Sequence, residues 1–339
     1  MYHVGKTLFI VSEKVYISCD NATILVKNEH GQKYRFAYEI LQQIVLFYED
    51  TVLSVYVMNR CAEHAITIHY VSKYGRYLGS FLGYKNGNVM LRKAQFDMSN
   101  TEKSVAFVQN LLAAKIRNSI WLLRYFGHHS VYRDQLHSTV DKLKQCRDSL
   151  RQAKTMGELR LLEMNAAHMY FQEFDNLITV GDISMKFEKR SRRPPLNNVN
   201  ALLSFFYTML LVLCESAIVV RGMDVECGYL HTLRSGRASL ACDLMEEFRA
   251  CIVDRFVITL VNRKEVKSTD FYNDNGQIRI CDDVRKKLLV KWDDFLNKTV
   301  VHHKLYDKDV SYKILVYEQA QYLAQYIRGD ISEYPPFYQ

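Results

Sequence analysis

The chain has 339 residues, enough for about two domains and a sizeable core. Hydrophobic residues make up 48% and charged residues 24%, the balance of a soluble globular protein, while 14 Gly and 4 Pro are too few turn formers for an all-β fold. Lys and Arg number 45 against 37 Asp and Glu, and the resulting net charge of +8 is compatible with a polyanionic partner without requiring one.

From Thr7 to about Leu82 the texture is β: TLFIV, VYIS, TILV, AITIHYV and YLGSFL are short β-branched and aromatic runs between polar turns. SKYGR predicts a hairpin connection between the last two, and a helix over roughly Val52 to His64 interrupts the series. GYKNGN has the Gly and Asn content of a linker and places a boundary near Lys85 to Asn88. The predicted organisation is therefore a β-rich domain over 1–85, a linker and short helix over 86–98, and a helical domain over 99–339. In fold class this is α+β, a small β-rich N-terminal domain followed by a larger all-helical one.

Two capping boxes, Ser99 with Glu102 and Thr155 with Glu158, predict the starts of KSVAFVQNLLAAKIRNSIWLLRYF and LRLLEMNAAHMYFQEF. KFEKRSRRPPLNN then crowds basic residues before a Pro pair that precludes a smooth helix. Ala201 to Val220 comes nearest to a membrane span, but Glu215 interrupts it short of the roughly 18 continuous apolar residues needed, so a buried core helix and no membrane are expected. The eight cysteines form no C-x-x-C pair and sit among apolar neighbours, which reads as reduced core thiols. The N-terminus lacks a signal-peptide pattern, and with reduced thiols a cytoplasmic protein is the expectation.

Charged residues in apolar surroundings mark the candidate site. Glu163, Ala166, Ala167, Tyr170 and Phe174 follow helical spacing, so Glu163 shares a face with small and aromatic residues that point into a core. A carboxylate there needs a cation, an arginine or a metal ion as partner. In HTLRSGRASLACDLMEEFRA, a helix from about Ala238 sets Leu240, Leu244 and Phe248 in one stripe and projects Asp243 and Glu246 side by side. His231 precedes it on a loop, as a hydrogen-bonded structural residue or as a ligand. One imidazole and three carboxylates suit Mn²⁺ or Mg²⁺ rather than zinc, for which neither H-E-x-x-H nor paired cysteines are present. P-loop, dinucleotide and G-x-S-x-G signatures are also missing.

The strings LRLLEMNAAHMYF, SRRPPLNNVNALLSFFYTML and CGYLHTLRSGRASLACDLMEEFR, in that order, resemble the CRISPR-associated Cas1 family, the integrase of spacer acquisition, and look most like its subtype I-C branch. The match is strong from about Leu159 to Arg249, looser upstream through ITIHYVSKYGRYLGSFLG and GNVMLRKAQF, and weak after Arg255. The resemblance implies a homodimer, a complex with the small companion protein Cas2, double-stranded DNA as substrate, and Mg²⁺ or Mn²⁺ held by Glu163, His231 and Glu246. Asp243 matches a further acidic position lining the site. Met164 and Asn165 stand where many relatives have Gly after the glutamate, and Asn197 and Asn198 where Asp-Pro is common.

The implied reaction is attack of a DNA 3′-hydroxyl on a phosphodiester at the edge of a CRISPR repeat. A repair nuclease acting on branched DNA and a non-catalytic DNA clamp are the competing functions. Lys186, Lys189, Arg190, Arg192 and Arg193 are the candidate phosphate contacts, or else a solvated basic loop. Arg234 and Arg237 either hold phosphate near His231 or pair with nearby carboxylates.

Overall fold

The structure, a computed structural model, describes residues 5–20, 22–74, 76–83, 88–128, 130–191, 194–232, 234–303 and 308–339. The N-terminal region is strand-rich: β1 (Lys6–Ile10), β2 (Tyr16–Asp20), β3 (Thr23–Lys27), β4 (Lys33–Ala37), β5 (Leu41–Leu46) and β6 (Val52–Leu53), then helix α1 (Val55–Glu63), then β7 (Thr67–Val71) and β8 (Tyr77–Phe81). These form two four-stranded sheets, ordered β1-β5-β7-β8 and β4-β3-β2-β6. In the first, β5 pairs in parallel with β1 and β7, and β8 closes the edge as an antiparallel hairpin with β7.

Period-two alternation gives this sheet two different faces. Ile44, Leu46 and Ile68 pack with Ile17, Ile24 and Val57 in a small core between the two sheets and α1. Gln43, Val45, Phe47, His69 and Val71 turn the other way, toward the helices. β5 was hidden in the sequence by Gln42 and Gln43, yet Gln43 is buried because its side chain is satisfied: Nε2 donates to Thr7 Oγ1 at 2.8 Å and Oε1 accepts from Ser216 Oγ at 2.6 Å. His69 Nε2 meets the same Ser216 hydroxyl at 2.7 Å, and burial pushes its imidazole down to about 3, so it stays neutral.

The helical part follows as α2 (Val89–Asp97), α3 (Glu102–Gly127), α4 (Arg133–Ser149), α5 (Met156–Gln172), α6 (Asn198–Val220), α7 (Ser239–Leu244), α8 (Arg255–Asn262), α9 (Asp282–Lys298) and α10 (Tyr312–Arg328). It is not all-helical as expected, since hairpins β9–β10 (Phe271–Asp274, Gln277–Ile280) and β11–β12 (Val300–His303, Lys308–Ser311) interrupt it. Helix α6 is its axis. Among the described residues it is the one helix long and apolar enough to cross a membrane, but 72% of its most apolar window is buried inside the fold. Glu215, the charge within it, accepts from Tyr77 and Ser80 on β8, which fastens the helix to the sheet.

Helix starts follow local chemistry. The Thr155–Glu158 capping box forms on α5. The Ser99–Glu102 box does not: Thr101 caps α3 instead, its Oγ1 accepting from Ser104 N at 3.3 Å. Asn197 caps α6 by accepting from Asn200 N at 2.8 Å, the service an Asp there would perform.

Candidate active site

Three helices meet around a pocket of about 40 Å³ lined by Lys115 from α3, by Glu163, Ala166 and Tyr170 from α5, by Tyr207 from α6, and by Glu246 and Arg249. The predicted face of α5 is as expected: Ala166, Tyr170 and the following Phe174 are buried, and Glu163 lies at the pocket. The segment carrying Glu246 is not the unbroken helix that the spacing predicts. It is α-helical only to Leu244, a 3₁₀ turn over Met245–Glu247, and a π-helical stretch over Arg249–Asp254 before α8 begins. The changes of winding aim neighbouring carboxylates at different partners, as such irregular turns often do at functional sites.

Asp243 and Glu246 consequently part company. Asp243 is fully buried and points back at the loop before α7, where it accepts backbone N–H groups from Tyr229 at 2.6 Å, Leu230 at 3.0 Å and His231 at 3.0 Å. Its Oδ1 also lies 2.6 Å from His231 Nδ1. A carboxylate offers no proton there, so Nδ1–H donates, which leaves the His231 Nε2 lone pair for a ligand. Asp243 therefore orients the histidine instead of opening onto the pocket.

Glu246 faces the pocket and is 5% exposed. Arg249 Nε donates to its Oε1 at 3.0 Å, and Lys115 Nζ stands 2.7 Å from its Oε2. Burial alone would raise its pKa, but Arg249, Lys115 and His231 outweigh that and hold the carboxyl down at about 2. The same Lys115 ammonium bonds Glu163 Oε1. A carboxylate from α5 and one from the 3₁₀ turn that follows α7 thus share one cation, and His231 is near enough to act on the second of them. Among the described residues no three His, Cys, Asp or Glu side chains already converge in a ligand cage. The donor set nonetheless fits a divalent ion: a positive charge already sits between the two carboxylates, and imidazole nitrogen with carboxylate oxygen is chemistry that Mg²⁺ and Mn²⁺ accept.

Several residues that shape the site carry no signal of their own in the sequence. Lys115 belongs to an ordinary helical run. Arg160, one turn before Glu163, donates from Nε to Leu230 O at 2.8 Å and ties α5 to the His231 loop. Gln95 on α2 grips that loop from the other side, through Asp224 N at 2.9 Å and Cys227 O at 3.0 Å. Gly228 packs so closely on α7 that an added Cβ would lie 2.7 Å from the Ser239 carbonyl carbon. At the base of the pocket, Tyr170 and Tyr207 hydroxyls donate to buried Asp254 at 2.7 and 2.5 Å, and burial pushes that carboxyl up to about 6.

The sequence pattern of the family described as CRISPR associated protein Cas1 matches residues 8–294. The chain belongs to the Cas1 family. It is similar to the CRISPR-associated endonuclease Cas1 1 of Moorella thermoacetica, with 35% identity over 342 residues that cover 99% of each chain. Its fold is similar to part of a Cas6-RT-Cas1–Cas2 complex, with a TM-score of 0.86 and 25% identity, all of this chain matching 37% of that longer one. It is also similar in fold to a casposase bound to integration product, with a TM-score of 0.83 and 21% identity over 97% of this chain and 93% of the other.

The basic candidates of this Cas1 chain differ in their placement. Lys186, Lys189 and Arg234 are exposed. Arg190 is turned inward: its Nη1 donates to Asn200 Oδ1 at 2.7 Å, and its guanidinium lies 5.3 Å from the Tyr207 ring centre. Arg237 is half-buried beside Cys242. Arg192 and Arg193 lie outside the described residues. All eight cysteines are free thiols.

Proposed function

We propose that this Cas1 chain is a metal-dependent DNA integrase and endonuclease that joins short DNA duplexes to a CRISPR repeat by 3′-hydroxyl attack on a phosphodiester. The observation that carries the reading is the pair Glu163 and Glu246, brought from α5 and the 3₁₀ turn after α7 onto one cation beside a histidine oriented by Asp243. Glu163, His231 and Glu246 would hold Mg²⁺ or Mn²⁺, whose Lewis acidity polarises the phosphate and eases ionisation of the attacking hydroxyl. The chain's own part is to fix these donors: Asp243 sets the imidazole tautomer, Arg249 keeps Glu246 ionised, and Arg160 holds the histidine loop against α5. Exchange of one phosphodiester for another needs no nucleotide cofactor, and water in place of the hydroxyl turns the same site into a nuclease.

The names of the relatives support the coarser parts of this reading: the Moorella protein is called an endonuclease, one structural neighbour is a complex with Cas2, and another is bound to integration product. The working assembly is a homodimer joined to Cas2 and double-stranded DNA, gripped through phosphates by Lys186, Lys189 and Arg234 with Arg192 and Arg193. Placement in the subtype I-C branch rests on the overall pattern of the resemblance.

The test is strand joining. Purified protein, its companion Cas2, Mn²⁺ and a supercoiled plasmid bearing the cognate repeat are supplied with a labelled duplex carrying free 3′-hydroxyls, and plasmid junctions are sequenced. Insertion at repeat edges, blocked by dideoxy ends that still bind, is the expected result. Cleavage of branched DNA without any covalent joining would replace the integrase reading with that of a repair nuclease.

A further inference from the structure

Lys115 is not among the residues that the sequence or the family resemblance assigns to the site, yet it is the group on which the two pocket-facing carboxylates converge. Its ammonium bonds Glu163 Oε1 and stands 2.7 Å from Glu246 Oε2, an oxygen that takes no hydrogen bond from any described residue. The side chain is 14% exposed and rises from the middle of α3, so it is not a surface cation that happens to be passing. Arg249, the other cation on Glu246, is fixed differently: it bonds Oε1 and stacks over the Tyr207 ring with 4.7 Å to the centroid. The lysine, in contrast, hangs on a flexible four-carbon stem beside a pocket lined by Ser119, Ala166 and Ala167.

We propose that Lys115 is a resident cation that occupies the place between Glu163 and Glu246 in the metal-free protein and is displaced from it when a divalent ion enters. This rests on the metal-site reading above. Without Lys115, Glu163 would face Glu246 as a like charge in a largely dry site, which is costly even with Arg249 held on the Oε1 side of Glu246 as the compensating cation. With Lys115, Arg249 and a divalent ion all present, four positive charges would crowd two carboxylates, and the ammonium, the more mobile partner, is repelled toward the pocket. Lys115 therefore stabilises the empty site and weakens apparent metal affinity by competition. A lysine with a merely structural role would do the reverse, since its loss would loosen the site and weaken metal binding.

The experiment compares Mn²⁺ binding by titration calorimetry in the full-length wild type, Lys115→Met and Lys115→Gln, together with thermal melts in chelator and in Mn²⁺. The expected result is that both neutral variants bind Mn²⁺ about tenfold more tightly or better, melt lower than wild type in chelator, and gain more from added Mn²⁺. Lys115→Gln keeps a polar group toward the carboxylates and serves if the methionine variant does not fold. Unchanged or weaker Mn²⁺ binding in a folded neutral variant overturns the role given to Lys115 while leaving the metal site intact. Absence of Mn²⁺ binding by the wild type and by both variants overturns the metal-site reading, and this inference with it.

Discussion

Asp243 closes four contacts on one short loop: the backbone N–H groups of Tyr229, Leu230 and His231, and the His231 ring at 2.6 Å. Asp243→Asn keeps the size and removes the charge that fixes the imidazole tautomer. It is expected to fold and to lose about 10- to 100-fold in Mn²⁺ affinity by calorimetry. Asp243→Ala also strands buried N–H donors and is expected to cost about 3 kcal/mol in urea unfolding. Wild-type Mn²⁺ affinity in the asparagine variant would contradict the orienting role.

Glu246 and Glu247 are neighbours with opposite pH behaviour. Burial works against Glu246, but Arg249, Lys115 and His231 hold it at about 2 against the ordinary 4.5; its contribution is present above pH 4.5 and is lost as pH falls through 2. Burial raises Glu247 to about 7, although Tyr334, the Phe337 N–H and Gln319 all donate to it; its contribution is present below pH 4.5 and is lost as pH rises through 7. In metal-free protein, Glu247→Gln should therefore flatten the fall in melting temperature between about pH 4.5 and 7. Melts across that window check it, and an unchanged slope contradicts it.

Gly228 allows the His231 loop to lie against α7. A methyl group there meets Ser239 backbone atoms at 2.7 and 2.9 Å, and backbone cannot give way as a flexible side chain can. Gly228→Ala is expected to lower stability by about 1–3 kcal/mol and to weaken Mn²⁺ binding through displacement of His231. A variant that melts and binds Mn²⁺ as wild type does would show that the close approach is not needed.

The basic residues are expected to separate by salt dependence. Lys186→Ala with Lys189→Ala should weaken DNA binding and flatten its dependence on salt, by about 0.9 in the logarithmic slope for each phosphate that is no longer neutralised. Arg190→Ala should leave the slope almost unchanged and lower the melting temperature, because its guanidinium bonds Asn200 and Ser204 within the fold. Affinity measured across a salt series distinguishes them, and the reverse assignment of the two effects would contradict the geometry.

What the sequence reveals of this protein is local. The face of α5 is legible because Glu163 shares a helical period with Ala166 and Tyr170, and Thr155 with Glu158 announces where that helix starts. Lys115 is illegible because its partners lie on other helices, and a lysine in KIRNSI looks the same whether it meets water or two carboxylates. Asp243 and Glu246 are placed on one face only if the helix continues, and the 3₁₀ and π turns that send them to different partners have no Pro or Gly to signal them. Arg190 reads as loop charge until Asn200 and Ser204, in the first two turns of α6, are seen to receive it. β5 is obscured by Gln43, whose burial depends on Thr7 and Ser216 far along the chain.

If Glu163, His231 and Glu246 form one metal-dependent site, strand joining should fail when any single one of them is removed. Glu163→Ala, His231→Ala and Glu246→Ala are each compared with wild type in Mn²⁺ with Cas2, the labelled duplex and the repeat plasmid, after melting curves establish that each variant is folded. Each of the three substitutions is expected to abolish covalent joining, because loss of any one donor disables the shared site. Wild-type turnover by any one of them would contradict it.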